Sequence, residues 1–432
     1  MKAADPEVMI SHRSRQPMRT GSTRPPAAWW IAALVVFSYT SALAPSVAEW
    51  SSDQPIAVPG MSLAPWITSA LAILALFTKR QPASVSAAGM TAVLTLVAIA
   101  SVSMLWTLNI VVSARELISL VATALTAYVL ATRLTTRQFL TATSAALLVV
   151  AILSLAAGWL APAAQNPTAE GLRGVLQAKN MLGRFTATGL LVELCLLLSG
   201  WRTPFRAIWR AAVFGGTLAL SLSASSLIVA ATMGALSVLV WWGYRSQRSA
   251  AALIGVLVWI PVASLILVSG TATDWLLSTT GRDATLSNRT LVWEASLQEL
   301  GRTAVFGFGW ESFWQTPGAG RERVWANAGG AIAHAHNGFI DVALGIGVLG
   351  LISAGAIAVV SLVNARRRSR LERSHASAIW LLPCLPIAFS ITESNFVHGF
   401  NVFTLMLFVS AIVGPIRCTT TSGRRTRKKA GT

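Results

Sequence analysis

Apolar runs long enough to cross a membrane dominate this 432-residue sequence. A membrane-spanning helix needs about 20 mostly apolar residues. Twelve runs come near that length, at residues 28–46, 61–78, 84–106, 114–132, 139–160, 181–199, 207–222, 226–243, 250–270, 337–362, 376–392 and 399–415. Only 12% of the residues are charged, against about 25% in soluble domains. The sequence predicts an all-α integral membrane protein of about twelve transmembrane helices, with a long extracytoplasmic loop between the ninth and tenth.

Basic residues cluster in every second connection between these runs. With a cytoplasmic N-terminus, all of these connections face the cytoplasm, as the positive-inside rule requires. They contain Lys79-Arg80, Arg133 with Arg137, Arg202 with Arg206, Arg245 with Arg248, and the run 366–370. The basic tails 1–27 and 416–432 fall on the same side of a membrane domain at 28–415. We therefore predict a multi-pass plasma-membrane protein with both termini cytoplasmic, and we interpret the +18 charge as membrane orientation rather than nucleic-acid binding.

Two local features of the sequence exclude simpler alternatives. Ala42-Leu43-Ala44 resembles a signal-peptide cleavage site, but Pro45 follows directly, so we expect the first run to remain as an uncleaved span. Cys195 and Cys384 lie in apolar runs and Cys418 lies in the basic tail. This distribution predicts neither a disulfide framework nor a cysteine metal site.

Two outward connections carry basic residues where the orientation rule expects few. They cover 163–180 and about 271–336, and the second is long enough to suggest a function. Their cations are Arg173, Lys179, Arg184, Arg282, Arg289, Arg302, Arg321 and Arg323. Long loops can be translocated whatever their charge. An anionic ligand at the outer face would explain why two separate loops both collect cations.

The long outer loop contains one helical pattern. Leu291, Trp293, Leu297 and Leu300 have the spacing of an apolar stripe on a helix. Such a helix could lie along the membrane surface or pack over the helix bundle, and the pattern favours neither.

His334 and His336 stand where the outer loop enters the tenth run. Histidine can act as a base near neutral pH, although a single interfacial histidine can also be a polar cap. A His-x-His pair could bind a metal, but the outer loops hold no further Cys or His except His398 and no clustered carboxylates. We therefore predict no metal site. Arginines near such a histidine would suit a diphosphate leaving group and a hydroxyl nucleophile.

Several ionisable residues lie inside or at the ends of the predicted spans. Such groups usually face a cavity or a partner. Glu193 could pair with an arginine or line a polar cavity, and Arg115 could extend to the interface. The roles of these residues and of Asp341 stay open.

Three segments resemble motifs of the O-antigen ligase and polymerase superfamily. Residues 173–183 (Arg-Gly-Val-Leu-Gln-Ala-Lys-Asn-Met-Leu-Gly) resemble its Arg-Gly…Lys-Asn-x-Leu-Gly entry to a middle span. The Arg289-x-x-x-Trp293 pattern with 307–314 is similar to its loop motif, and 336–350 is similar to its His-Asn segment. The Lys-Asn and Phe-Trp details are closest to the exopolysaccharide-polymerase branch. Ser221-Leu-Ser-Ala-Ser-Ser226 lacks the arginine of many ligases, which leaves the acceptor open.

This resemblance implies a metal-independent inverting glycosyltransferase without a cofactor. The donor would be a glycan on undecaprenyl diphosphate, and the acceptor a hydroxyl of a glycan or glycolipid at the outer membrane face. The resemblance also implies that His336 is the base and that Arg173 and Arg289 bind the diphosphate. The other expected substrate-binding residues are Lys179, Asn180, Asn337 and His334.

Three other classes of protein compete with this reading. A secondary transporter or flippase of this size would often show repeated halves, but the long loop falls at nine to ten and the halves do not match. A polyprenyl-monophosphate glycosyltransferase would carry paired acidic residues in a large first outer loop, where this chain has only Glu49 and Asp53. No specific feature supports a structural scaffold.

Overall fold

The computed structural model describes residues 27–42, 63–74, 84–160, 171–250, 253–256, 258 and 287–415. Within these ranges the regular structure is helical, apart from an isolated bridge between Val85 and Val413. The helices are α1 Ala27–Tyr39, α2 Ala64–Leu74, α3 Ala87–Val102, α4 Ile110–Arg133, α5 Thr136–Leu160, α6 Lys179–Leu198, α7 Pro204–Ser221, α8 Ala224–Arg245, α9 Ser287–Leu300, α10 Ser312–Gln315, α11 Ala319–Ala328, α12 Gly338–Leu371, α13 Ala376–Thr392 and α14 Val402–Ile412.

Seven helical segments in the described part of the chain are long and apolar enough to cross a membrane. They are α3 with the 3₁₀ turn after it, α4, α5, α6, α8, α12, and α13 with the 3₁₀ turn before it. Helices α1, α2 and α14 are apolar but shorter. The prediction of an all-helical chain is confirmed for these residues, while twelve spans and the side on which the long loop lies stay predictions.

Several expectations lie outside the described residues. They concern the two tails, the first outer turn with Glu49 and Asp53, the Lys79-Arg80 turn, residues 161–170, most of the ninth run, and residues 271–286 with Arg282.

Helix α13 is the centre of the bundle. All 17 of its residues are buried, and it packs against α6, α8, α12 and α14. A helix without charged residues and apolar all round can be buried on all sides in this way. Glu393, the residue that follows α13, therefore lies in the interior of the protein.

Helix α12 is broken where the sequence reads Gly345-Ile346-Gly347. Ile346 and Gly347 leave helical geometry, Gly347 with a positive φ of 65°. The break frees the carbonyls of Leu344 and Gly345, which accept hydrogen bonds from the N–H groups of Phe308 and Gly309 at 2.8 Å each. A Cβ on Gly347 would lie 2.1 Å from the carbonyl oxygen of Val305. Gly307 to Gly309 and Gly345 to Gly347 thus dock the long loop onto α12 by backbone contact.

The predicted loop helix is confirmed as α9, but its predicted face is wrong. Leu291 and Leu297 are exposed, whereas Val292, Ala295 and Glu299 are buried. The buried face packs against α11 and α12. The pattern of large apolar residues predicted the wrong buried face, because it assigned Glu299 to the exposed side. In the structure Glu299 is buried in an ion pair with Arg323.

Glu193 pairs with arginines, and it also lines a mostly apolar pocket between α6, α7 and α8. Its carboxylate accepts two hydrogen bonds from Arg202 at 2.9 Å each and lies 3.4 Å from Arg210. Ser144 donates a further hydrogen bond to it. This cluster joins α5, α6 and α7 at the end of α6 remote from Arg184.

Candidate active site

Glu393 is the centre of a buried charged cluster. Only 3% of the residue is exposed. Its carboxylate lies 3.4 Å from Nη2 of Arg289, 3.7 Å from Nη1 of Arg184 and 3.7 Å from Nδ1 of His336. One carboxylate therefore faces two guanidinium groups and one imidazole, which come from α6, α9 and the segment before α12.

The cluster keeps Glu393 ionised. Burial alone would raise the pKa of this carboxyl group, because a charge is poorly solvated in the interior. The positive charges of Arg184 and Arg289 and the neighbouring His336 outweigh that effect and lower the pKa to about 2. Glu393 is therefore an anion throughout the physiological pH range.

Neutral acceptors hold the two arginines more closely than Glu393 does. Arg184 donates to Oδ1 of Asn395 at 2.6 Å, and Arg289 donates to the carbonyl of Thr392 at 2.9 Å. Both acceptors lie within two residues of Glu393 in sequence. Residues at and just after the end of α13 thus position both guanidinium groups. Their two positive charges are only partly neutralised by the one carboxylate of Glu393.

Asn337 places His336 against Glu393. Its Oδ1 caps α12 by accepting hydrogen bonds from the N–H groups of Phe339 and Ile340, as asparagine commonly does at an N-cap. Its Nδ2 donates to the carbonyl of Ile391 at 3.2 Å. The N–H of Gly338 donates to the Glu393 carbonyl at 3.1 Å. The start of α12 is thereby fastened to the end of α13.

His336 itself adopts a left-handed backbone conformation, with φ of 53°. This conformation is uncommon for a residue other than glycine and often marks functional positions. The ring of His334 stands nearly perpendicular to that of His336, with centroids 4.2 Å apart. Burial, and next the proximity of His336, lower the pKa of His334 to about 3. His334 is consequently a neutral neighbour of His336 at physiological pH.

Asp341 holds the segment between the two histidines. Its Oδ1 accepts hydrogen bonds from the N–H of Ala335 at 3.0 Å and from the indole of Trp314 at 2.8 Å. Its other oxygen accepts a hydrogen bond from Ser394. The sequence alone left the role of Asp341 open. In the structure the Asp341 side chain joins the long loop, α12 and the segment after α13.

The structure gathers four of the predicted site residues in one place: Arg289, His334, His336 and Asn337. Lys179 and Asn180 begin α6, and Arg173 lies in the loop before it. That loop is fixed by a hydrogen bond from the N–H of Leu172 to the carbonyl of Leu220 at 2.8 Å. Substrate binding by Arg173, Lys179 and Asn180 stays a prediction.

Sequence reasoning missed Glu393 and did not select Arg184. Arg184 was one of many outer cations with no feature to distinguish it, although it lies within the apolar sixth run. Glu393 had a detectable signal, because it is the first charged residue after the uncharged, mostly apolar run 376–392. A carboxylate at that point must enter the interior with its helix and needs a partner there.

Three other arginines of the long loop are held by contacts within the loop itself. Glu299 receives two hydrogen bonds from Arg323 at 2.6 Å each and lies 3.6 Å from Arg302. The hydrogen bonds from Arg323 lower the pKa of Glu299. Arg321 stacks over Trp325, 4.1 Å from the ring centroid. These contacts explain the three arginines without a ligand, so the case for an anion site rests on Arg184 and Arg289.

In the described part of the chain, no group of three or more His, Cys, Asp or Glu side chains is arranged to hold a metal ion. Transfer without a metal stays a prediction.

Fold and site together define a multi-pass helical membrane protein with a buried Arg–Glu–His cluster at the end of its central helix. The O-antigen ligase family matches residues 210–355, a range that contains Arg289 and His336. The chain is 24% identical over 251 residues to the exopolysaccharide production protein ExoQ of Rhizobium meliloti (strain 1021), covering 55% of this chain and 57% of ExoQ. The aligned part thus spans little more than half of that relative. These matches confirm the resemblance to the O-antigen ligase and polymerase superfamily and to its ExoQ-like branch.

Proposed function

We propose that this protein transfers a glycan from undecaprenyl diphosphate to a hydroxyl acceptor at the outer face of the membrane. It would act as a polymerase or ligase of a surface polysaccharide. The observation that carries the proposal is the cluster around Glu393, where two arginines and a histidine converge on one buried carboxylate. The family matches support the same class of activity.

Arg184 and Arg289 are the proposed ligands of the diphosphate. A guanidinium group presents a planar pair of N–H donors that fits two phosphate oxygens. The two positive charges exceed the single negative charge of Glu393, so a further anion would be attracted to the cluster. Arg173, in the loop before α6, is proposed as a third ligand, and Lys179 and Asn180 as nearby substrate contacts.

His336 is the proposed general base. Glu393 faces Nδ1 of its ring, which leaves Nε2 for the acceptor, as a carboxylate orients the histidine in other acid–base sites. The acceptor oxygen forms a bond to the anomeric carbon while His336 takes its proton. The bond from that carbon to the diphosphate oxygen breaks, and undecaprenyl diphosphate leaves with the bonding electrons. A single displacement of this kind inverts the anomeric configuration.

Lysine substitutions test the diphosphate site. Arg184→Lys and Arg289→Lys should each weaken binding of lipid-linked glycan, extracted from cells that lack the protein, by about tenfold or more, because an ammonium group cannot form the paired contact. Arg323→Lys is the matched control, since Arg323 pairs with Glu299 outside the cluster. Binding would be measured with purified protein in lipid nanodiscs.

Unchanged donor binding in both cluster variants would contradict the assignment of Arg184 and Arg289. A wild-type protein that binds lipid-linked glycan but only translocates it across a vesicle membrane would favour the flippase alternative.

A further inference from the structure

A second polar cluster lies beside the one around Glu393. Nδ1 of His398 is 2.5 Å from a carboxylate oxygen of Glu311, and the two side chains are 22% and 19% exposed. Asp341 lies between the clusters: it holds Ala335, between the two site histidines, and Ser394, next to Glu393, and its carboxylate feels the charges of His398 and Glu311. The charge of His398 also acts on His334.

The backbone on both sides of this ion pair is held in an uncommon conformation. Glu311 has a φ of 56°, and Val397, directly before His398, has a φ of 58°. Such conformations persist only where the surroundings enforce them. Trp310 beside Glu311 is fixed by hydrogen bonds with Ser103 and Ser113. The fold therefore fixes the position of Glu311 as well as its partner.

On the other side of His398, the chain is packed closely against α4. A Cβ on Gly399 would lie 1.8 Å from Oγ of Ser119, and the N–H of Phe400 donates to Oγ1 of Thr123 at 2.8 Å. His398 thus cannot move away from Glu311 without separating its segment from α4.

The chemistry of this cluster differs from that of the first. Glu311, Asp341 and Glu116 bring three carboxylates, balanced by His398 and Arg115. Arg115 donates to Glu116 at 2.9 and 2.7 Å and to the side-chain oxygen of Gln315 at 2.9 Å. Exposed carboxylate and amide oxygens accept hydrogen bonds from hydroxyl groups, and a carboxylate-rich surface repels phosphate. The arrangement suits the uncharged hydroxyls of a sugar.

We propose that Glu311, held in place by His398, binds a hydroxyl of the acceptor glycan, with Gln315, Arg115 and Glu116 continuing the same subsite. The inference rests on the proposed glycosyl transfer and assigns its second substrate. Transfer needs two neighbouring sites of different chemistry, and the arginine-rich cluster accounts only for the diphosphate. The subsite adjoins the segment of His334 and His336, where the attacking hydroxyl would face the base.

Electrostatics keep His398 charged under physiological conditions. Burial lowers the pKa of His398, but the charge of Glu311 and its hydrogen bond outweigh this, and the pKa is raised to about 9. The imidazolium ion thus orients Glu311 while leaving the remainder of the carboxylate for a ligand.

A glycan without diphosphate separates the two sites. Mild acid releases the glycan from the lipid-linked pool, and the probe is this glycan labelled with a fluorophore at its reducing end. Glu311→Gln should bind it about tenfold more weakly than wild type, because a hydrogen bond to a charged group is replaced by a weaker neutral one. Glu372→Gln is the matched control, since Glu372 pairs with Arg368 far from the subsite.

In transfer assays, Glu311→Gln should raise the KM for acceptor while leaving the KM for donor unchanged. His398→Gln should act in the same direction, so the test survives if one variant fails to reach the membrane. Arg289→Lys should weaken binding of intact lipid-linked donor without weakening binding of the released glycan.

The outcomes distinguish the two proposals. If the wild type neither binds lipid-linked glycan nor transfers it, the proposed function is wrong. If the wild type transfers glycan but Glu311→Gln and His398→Gln bind the released probe as tightly as wild type, the acceptor subsite is wrong. Equal weakening of probe binding by Arg289→Lys and Glu311→Gln would also overturn it, because the two clusters would then be one site.

Discussion

At the scale of single residues, Glu393 decides how the cluster works. A buried carboxylate surrounded by Arg184, Arg289 and His336 is both a structural counter-charge and the group that orients the proposed base. The arginines keep neutral partners of their own, Asn395 and the carbonyl of Thr392. Both arginines can therefore bind a diphosphate while these neutral partners keep them in place.

Removing the charge of Glu393 should destabilise the protein. Glu393→Gln leaves buried cations without a counter-charge, a change that typically costs about 3–5 kcal/mol. Thermal unfolding in detergent would measure this. The double variant Glu393→Gln with Arg184→Gln should recover part of the loss, because one unpaired charge disappears. Strictly additive effects of the two substitutions would show that the residues do not interact.

Because of the His398–Glu311 pair, the stability of the folded protein should fall as the pH becomes alkaline. The pKa of His398 is raised from 6.5 to about 9, so its stabilisation is complete below about pH 6.5 and is lost as the pH rises through about 9. Three carboxylates face the imidazolium: Glu311, Asp341 and Glu116. Unfolding temperatures between pH 6 and 10 should fall more steeply for wild type than for His398→Gln. Parallel curves would contradict the pairing.

At the scale of elements, the break in α12 is where the long loop is attached to the helix bundle. Carbonyls released at Leu344 and Gly345 bind the N–H groups of Phe308 and Gly309, and the N–H of Val348 donates to Ala304. The loop from 304 to 309 is therefore fixed to α12 shortly before Glu311. The position of the proposed acceptor subsite depends on this attachment.

Gly347→Ala should separate the loop from α12. A Cβ at this position would be 2.1 Å from Val305 O in a backbone with positive φ, so we expect a destabilisation of more than about 1 kcal/mol. Gly355→Ala is the matched control on the same helix, where the added Cβ would meet no atom within 4 Å beyond the surrounding backbone of α12; there the helix should gain stability. Thermal unfolding and protease sensitivity of residues 301–330 would compare the two. Equal behaviour would argue against backbone docking.

The apolar runs predicted the elements better than their details. They located α3 to α8, α12 and α13, because about 20 apolar residues suffice to identify a membrane helix. They did not predict that α12 continues to Leu371, since its basic final turns read as a cytoplasmic connection. They also gave no sign of the break at Gly347, because a glycine in an apolar run is compatible with an unbroken helix.

For the site, the motifs predicted which loops contribute residues to it, but not that Glu393 brings these residues together. Arg289 and His336 stood in recognisable segments, whereas Glu393 stood in none and was missed; its place after an apolar run was its only signal. Contact between residues 184, 289, 336 and 393 depends on how four distant segments pack. A single sequence contains no direct record of such packing.

At the scale of the whole molecule, the orientation in the membrane stays a prediction from the basic connections. Cysteine labelling tests it in a background with Cys418→Ser, since Cys195 and Cys384 are buried. In intact cells, Glu322→Cys should react with an impermeant thiol reagent, whereas Ser246→Cys and Arg370→Cys should react only after permeabilisation. All three positions are exposed to solvent in the structure. Labelling at 246 with silence at 322 would reverse the topology and place the site on the cytoplasmic face.

The central claim is that the cluster around Glu393 performs glycosyl transfer with His336 as its base. The most direct measurement is the rate of glycan transfer by purified protein supplied with lipid-linked glycan, with and without a chelator. His336→Ala should reduce the rate by about 10²–10⁴-fold, the usual effect of losing a general base, while lipid-linked donor still binds. His334→Ala should reduce it far less, and the chelator should change nothing. Near-normal turnover by His336→Ala, or loss of wild-type activity with chelator, would contradict the account.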